Sequence, residues 1–282
     1  MLAAFAVLIA VLLVALVATY LTRYRGRPWT AYDARPAWIR AGIYFCFCYL
    51  LSYLSGGMQK LIDDPIVTSE QLSDPAWWAY TAVAFAFITV MYGVVWVRYT
   101  VLFDRPKHFW ISALFGFLWG SSSGQLFLAV WLLSNDLFGS EPAAWVATVI
   151  VLGAWQPNFH NIYWDHWIAP EHDTRLTQRI KALGCHIPNL LITLTYLAIF
   201  DNAAIFVGLQ IMACTFASVG MRFPAPWDPP SERDLAHRSG GRVPRCEGYV
   251  SDDFTTDPYT PFHPGWTGPT TTLEKPQVRQ DS

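Results

Sequence analysis

Residues 109–134 read FWISALFGFLWGSSSGQLFLAVWLLS, twenty-six positions without one charged side chain. About 20 apolar residues in a helix suffice to cross the hydrocarbon of a bilayer. The run is bounded by Lys107 and His108 on one side and by Asp136 on the other. One end is therefore basic and the other acidic, and that contrast carries a direction as well as a crossing.

Working outward, six further apolar runs appear at roughly 2–22, 41–59, 76–98, 143–164, 187–200 and 203–221. Apart from Arg98, where the third run meets its inner segment, the runs carry no formal charge. Of the nineteen Lys and Arg residues, every one but Lys60 falls on the same side when seven crossings are drawn. Basic residues near span ends are retained in the cytoplasm. The inner segments hold Arg23, Arg25, Arg27, Arg35 and Arg40, then Arg98, Arg105 and Lys107, then Arg175, Arg179 and Lys181. The outer ones hold Asp63, Asp64, Glu70 and Asp74, then Asp136 and Glu141, then Asp201. The first run lacks a basic leader and is followed by arginines, the opposite polarity to a cleaved signal peptide. The expected fold is all-α, with seven transmembrane helices, the N-terminus outside and the C-terminus cytoplasmic. Residues 1–222 form the membrane domain and 223–282 a Pro-rich tail. The expected location is the plasma (inner) membrane. The sixth run is short, and Asp201-Asn202 turns tightly into the seventh. A re-entrant pair is the alternative there.

Composition agrees. The chain is 53% hydrophobic and 14% charged, against about 25% charged in soluble domains. The net charge of −2 gives no reason to expect nucleic acid as a partner. The five cysteines form no CxxC pair, which disfavours a thiolate zinc site or a disulfide framework. Ten of the nineteen prolines lie beyond residue 221. Such a tail cannot build a core of its own. It reads as disordered, or as an extended strap on the cytoplasmic face or on a partner subunit.

In the 109–134 run, Ser112, Gly116, Gly120 and Gly124 recur at four-residue steps. Small residues at that spacing share one helix face and let a second backbone come close. This helix is expected at the centre. Ser121, Ser122, Ser123, Gln125, Gln156 and Gln210 lie deep in their runs. They satisfy one another between helices or line a polar pocket. The runs offer no mid-span acid or base for a proton relay or voltage sensor. A coupled ion pump is disfavoured, and no lysine in the last run could form a retinal Schiff base.

Chemistry is densest in WQPNFHNIYWDHWIAPEHD, residues 155–173. Pro157 removes a backbone donor and should bend the helix. Beyond it, Asn158, Asn161 and Asp165 are spaced to share one face. Three readings remain open. The first is an interfacial belt of Trp, Tyr and His at the headgroups. The second is a metal-free acid–base site, with Asp165 or His160 as proton donor and Asn158 and Asn161 beside it. There, Trp119, Trp155, Trp164 and Tyr196 are candidate walls for a developing carbocation. The third is an iron, zinc or copper site drawn from His160, Asp165, His166, His172 and His186. The chain has neither an HxxxH nor an HH pair.

The leading expectation is an integral-membrane enzyme for a lipophilic substrate such as a terpenoid, sterol, quinone or lipid. Its chemistry would be proton transfer or metal-dependent oxidation at the cytoplasmic ends of helices 4–6. The alternatives are a non-catalytic subunit that grips a membrane partner through its tail, and a facilitator for a neutral solute.

Overall fold

The computed structural model describes residues 2–23, 34–98, 107–156, 159 and 179–228. Most of these are helical, with no strand among them. In chain order they form α1 (Leu2–Arg23), α2 (Ala34–Leu54), α3 (Gly57–Asp63), α4 (Ser69–Ser73) and α5 (Pro75–Val90). A π turn, Met91–Val95, then leads into α6 (Trp96–Arg98). α7 (Phe109–Phe138) and α8 (Glu141–Trp155) follow. A second π turn, Ile180–His186, runs into α9 (Ile187–Phe200), and α10 is Ala203–Gly220. Five helical stretches are long and apolar enough to cross a membrane: Ala37–Leu54, Pro75–Val95, Phe109–Phe138, Ile180–Phe200 and Ala203–Gly220. Leu2–Ala18 and Glu141–Trp155 are shorter apolar helices. The chain is a multi-pass membrane protein, all-helical in its described residues.

α7 is the axis. Its flanks face α10, α2 and α8, with α1 and α3 in lesser contact. Most of its second half is buried, from Trp119 to Trp131. The glycine stripe produces the closest approach. A Cβ at Gly120 would lie 2.5 Å from Ile211 Cα, and one at Gly116 would lie 2.5 Å from Thr215 Cα. The α7–α10 seam thus packs backbone against backbone, as expected for small residues at four-residue spacing. Large apolar side chains such as Ile43, Leu50, Val83, Val94, Leu114 and Ile150 point outward. Lipid tails are a suitable surrounding for them.

The apolar run expected at 187–200 is not short. The second π turn extends its helix back to Ile180, giving 21 residues. Pro188 has no N–H to donate one turn back. The helix widens just before it, and the Ile187 amide bonds to the Ala182 carbonyl, five residues back. Two expectations are corrected by this geometry. The spans are not free of charge, because Lys181 lies inside this helix and is 1% exposed, and Arg40 lies inside Ala37–Leu54. A hydropathy run stops at an isolated lysine or histidine, whereas backbone hydrogen bonding does not. The second helix also ends earlier than residue 59, at Leu54, where Gly56 adopts a left-handed φ of 81°.

Beyond α10 the chain reverses at Arg222, whose φ is 53°, and returns over the bundle. Phe223 stacks on Phe115 with ring centroids 3.6 Å apart. Ser112 donates to the Phe223 carbonyl at 2.8 Å, and Trp38 Nε1 donates to the Pro224 carbonyl at 3.0 Å. His108 meets Asp228 at 3.1 Å. The first residues of the tail therefore lie on the fold as a strap.

Candidate functional site

The deep polar residues divide by partner. Ser121 and Ser122 donate to the Leu118 carbonyl, and Ser123 donates to that of Trp119 at 2.9 Å. These are local bonds back along α7. Gln125 accepts from Ser52 on α2. Gln210 enters a network with α9. Its amide donates to Thr193 Oγ1 at 2.9 Å, and it accepts from Asn189 Nδ2 at 3.3 Å. Thr193 in turn donates to the Asn189 carbonyl at 2.7 Å.

Between these groups lies a small interior cavity of about 20 Å³. Tyr92, Ser123, Gln156, His186, Asn189 and Gln210 line it. Five helical segments thus contribute polar atoms to one point in an otherwise apolar bundle. Two of the lining residues, Tyr92 and His186, come from the two π turns. Short π turns inside α-helices are rare and are often found at functional sites. Here they touch: Cys185 Sγ lies 3.6 Å from the Met91 carbonyl oxygen, with Gly184 beside Met91. The wider turn rotates His186 toward Tyr92, whose hydroxyl lies 3.4 Å from His186 Nδ1. The Trp96 ring meets His186 edge-on at 4.9 Å. The Lys181 ammonium lies 4.3 Å from the centroid of the same indole, a cation–π contact.

A phenol, an imidazole and three carboxamides at one point can hold and pass a proton and can orient a hydroxyl. Their chemistry is that of positioned general acid–base groups. Among the described residues no three His, Cys, Asp or Glu side chains come together as a metal donor set.

Of the site residues expected from sequence, His186 is described and lines this cavity. Asn158, His160, Asn161, Asp165, His166 and His172 lie outside the described residues. So does Trp164. Trp119 and Trp155 share one aromatic cluster with Tyr44 and Phe159; Trp155 stacks on Phe159 at 4.3 Å. Tyr196 does not join it, being near Thr81 at 3.3 Å and Phe200 at 5.1 Å. Tyr92, Lys181 and Asn189 were not singled out by sequence reasoning. A polar residue directly after Pro188, at the head of an apolar run, was the available signal for Asn189.

A second concavity, about 510 Å³, lies between α4 and the α9–α10 turn. Asp64, Glu70, Asp74 and Asp201 rim it. Its amides are already engaged: Asn202 Nδ2 donates to the Ile66 carbonyl at 2.8 Å, and Gln71 donates to that of Phe200 at 3.0 Å. The interior cavity, with its titratable pair, is the better candidate. No family model, curated protein or solved structure matches this chain.

Proposed function

We propose that this chain is an integral-membrane enzyme that acts on a lipophilic substrate by proton transfer, as an isomerase, cyclase or hydratase does. In this reading it crosses the plasma (inner) membrane seven times, with its N-terminus outside and its C-terminus in the cytoplasm. The observation that carries the reading is the Tyr92–His186–Asn189–Gln210 cluster. Titratable and amide groups are costly to bury in a lipid-embedded bundle, and inside membranes they mark function more often than in soluble cores. Under the proposed topology, Gln156 closes its helix toward the cytoplasm, and His186 lies in the cytoplasmic half of Ile180–Phe200. Two residues after Gln156 the sequence enters the Asn158, Asn161 and Asp165 face. Asp165 is the proposed proton donor, and Tyr92 and His186 orient the reacting group or accept the proton.

Lipid extracts of membranes expressing the wild type, Asp165→Asn or His186→Ala test this. The expected product is a lipophilic compound equal in mass to its precursor, or heavier by one water. It accumulates with the wild type and falls about 10²-fold or more in either variant, the usual scale of general acid–base catalysis. An extract unchanged by expression of the wild type, or a product that persists in both variants, defeats the reading. In that case the non-catalytic subunit reading takes its place.

A further inference from the structure

We infer that the interior cavity is a binding site for a single hydroxyl-sized hydrogen-bond donor: a water molecule, or the hydroxyl group of a lipophilic alcohol. The argument starts at Thr193. Its hydroxyl spends its one proton on the Asn189 carbonyl, 2.7 Å away and one turn back. Its oxygen can then only accept from Gln210, so the Gln210 side chain must present its NH₂ group to Thr193. That leaves Gln210 Oε1 facing Asn189, and Asn189 must answer with its own NH₂ group. Both amide orientations are thereby set by chemistry rather than by choice of atom label.

The consequence falls on Asn189 Oδ1. It is buried, the residue being 2% exposed, and it has no hydrogen-bond partner among the described residues. Asn189 lines the cavity. A buried amide oxygen left unsatisfied costs on the order of the desolvation of that group, so native structures rarely leave one dry. An occupant that donates to it would supply the missing bond. The volume of about 20 Å³ admits one water-sized group and nothing larger. Tyr92, His186, Ser123 and Gln156 surround the same space and can accept or donate further bonds to the occupant. A carbonyl or ether oxygen has no proton to give Asn189 and does not fit this polarity.

This inference deepens the proposed enzyme reading by naming the group that the site orients, yet the two stand or fall by different results. The test is a high-resolution structure of the full chain prepared in two ways. One preparation is exchanged into nanodiscs of synthetic phosphatidylcholine and phosphatidylglycerol. The other keeps the lipids carried from the expressing membrane. The expected result is a feature within hydrogen-bonding distance of Asn189 in both. In the synthetic nanodiscs it is isolated and is water. With carried lipid it is either isolated again or continuous with a bound molecule, which separates the two sources. Asn189→Leu keeps the side-chain size but removes the acceptor, so the feature should be lost there. A cavity empty in both wild-type preparations, at a resolution where other buried waters are seen, overturns the inference. So does a feature that persists unchanged in Asn189→Leu. Should that variant fail to fold, the two wild-type preparations decide alone. A filled cavity without any lipid conversion would sink the enzyme reading and leave this one standing. Conversion with an empty cavity would do the reverse.

Discussion

Lys60 Nζ lies 2.8 Å from a carboxylate oxygen of Asp201, joining α3 to the turn between α9 and α10. The same ammonium lies 2.7 Å from Asp64. Lys60 is the one basic residue on the side expected to face outward, and this clasp explains it. Two carboxylates hold its charge, so it does not compete with the basic segments that direct the chain. Burial by itself would lower the Lys60 pKa, but Asp201 and Asp64 more than offset that, and the net shift is upward. A raised lysine pKa stabilises the fold fully below the unfolded value, and the gain is lost as pH rises through the folded value. The clasp should hold at neutral pH and weaken only in alkali, above the ordinary value of 10.5. Lys60→Met should cost about 1 kcal/mol or less, since partly exposed ion pairs are weak. Melting curves of both proteins at neutral and strongly alkaline pH check this. The difference between them should shrink as pH rises.

The proposed topology rests on the basic segments. A reporter fused after Arg222 should read cytoplasm, and reporters at Ser69 and Ser140 should read the opposite side. If Ser140 and Arg175 are found on the same side, α8 belongs to no crossing, and the proposed approach of Asp165 to the cavity fails with it.

The α7–α10 seam has no room for a side chain. Gly120→Ala places a carbon against the Ile211 and Gln210 backbones, which cannot rotate away. Overpacking of this kind costs roughly 1–3 kcal/mol. The melting temperature of Gly120→Ala in detergent should fall clearly, and Gly120→Leu should yield no monodisperse protein. Gly153→Ala is the control, because nothing lies within 4 Å of its added carbon. Equal melting for Gly120→Ala and Gly153→Ala would show that the seam is looser than described.

The strap is testable in the same assay. Phe223 is buried against Phe115, while Trp227 is 63% exposed. Phe223→Ala should cost about 3–5 kcal/mol, the usual scale for a buried phenylalanine. Trp227→Ala should change melting little. A mild Phe223→Ala phenotype would mean that residues 221–228 sit on the bundle without stabilising it.

At the cavity, Tyr92→Phe removes one hydroxyl and little volume. Loss of a hydrogen-bonding group at a proton-transfer site should lower turnover about 10²-fold, with melting nearly unchanged. The lipid-extract comparison reads the first and thermal unfolding the second. A large fall in melting with turnover intact would make Tyr92 a structural residue.

By itself, the sequence determined what depends on local composition. Apolar length marks candidate crossings, because a lipid core tolerates few charges. The four-residue spacing of Gly116, Gly120 and Gly124 marked α7 as the packing axis, because helical periodicity is a property of the chain alone. What only the tertiary structure decided depends on which helices meet. The helix ending in α9 reaches back past Lys181 because backbone bonding continues through a widened turn that hydropathy cannot see. Lys60 is neutral in effect because Asp201, far along the chain, folds onto it. Asn189 matters because Thr193 fixes the orientation of Gln210, Gln210 accepts from the Asn189 NH₂ group, and the Asn189 side-chain oxygen is left without a partner in a residue that lines the cavity. A hydrogen-bond deficit of that kind exists only when three dimensions fix every partner, so no reading of residue order could have disclosed it.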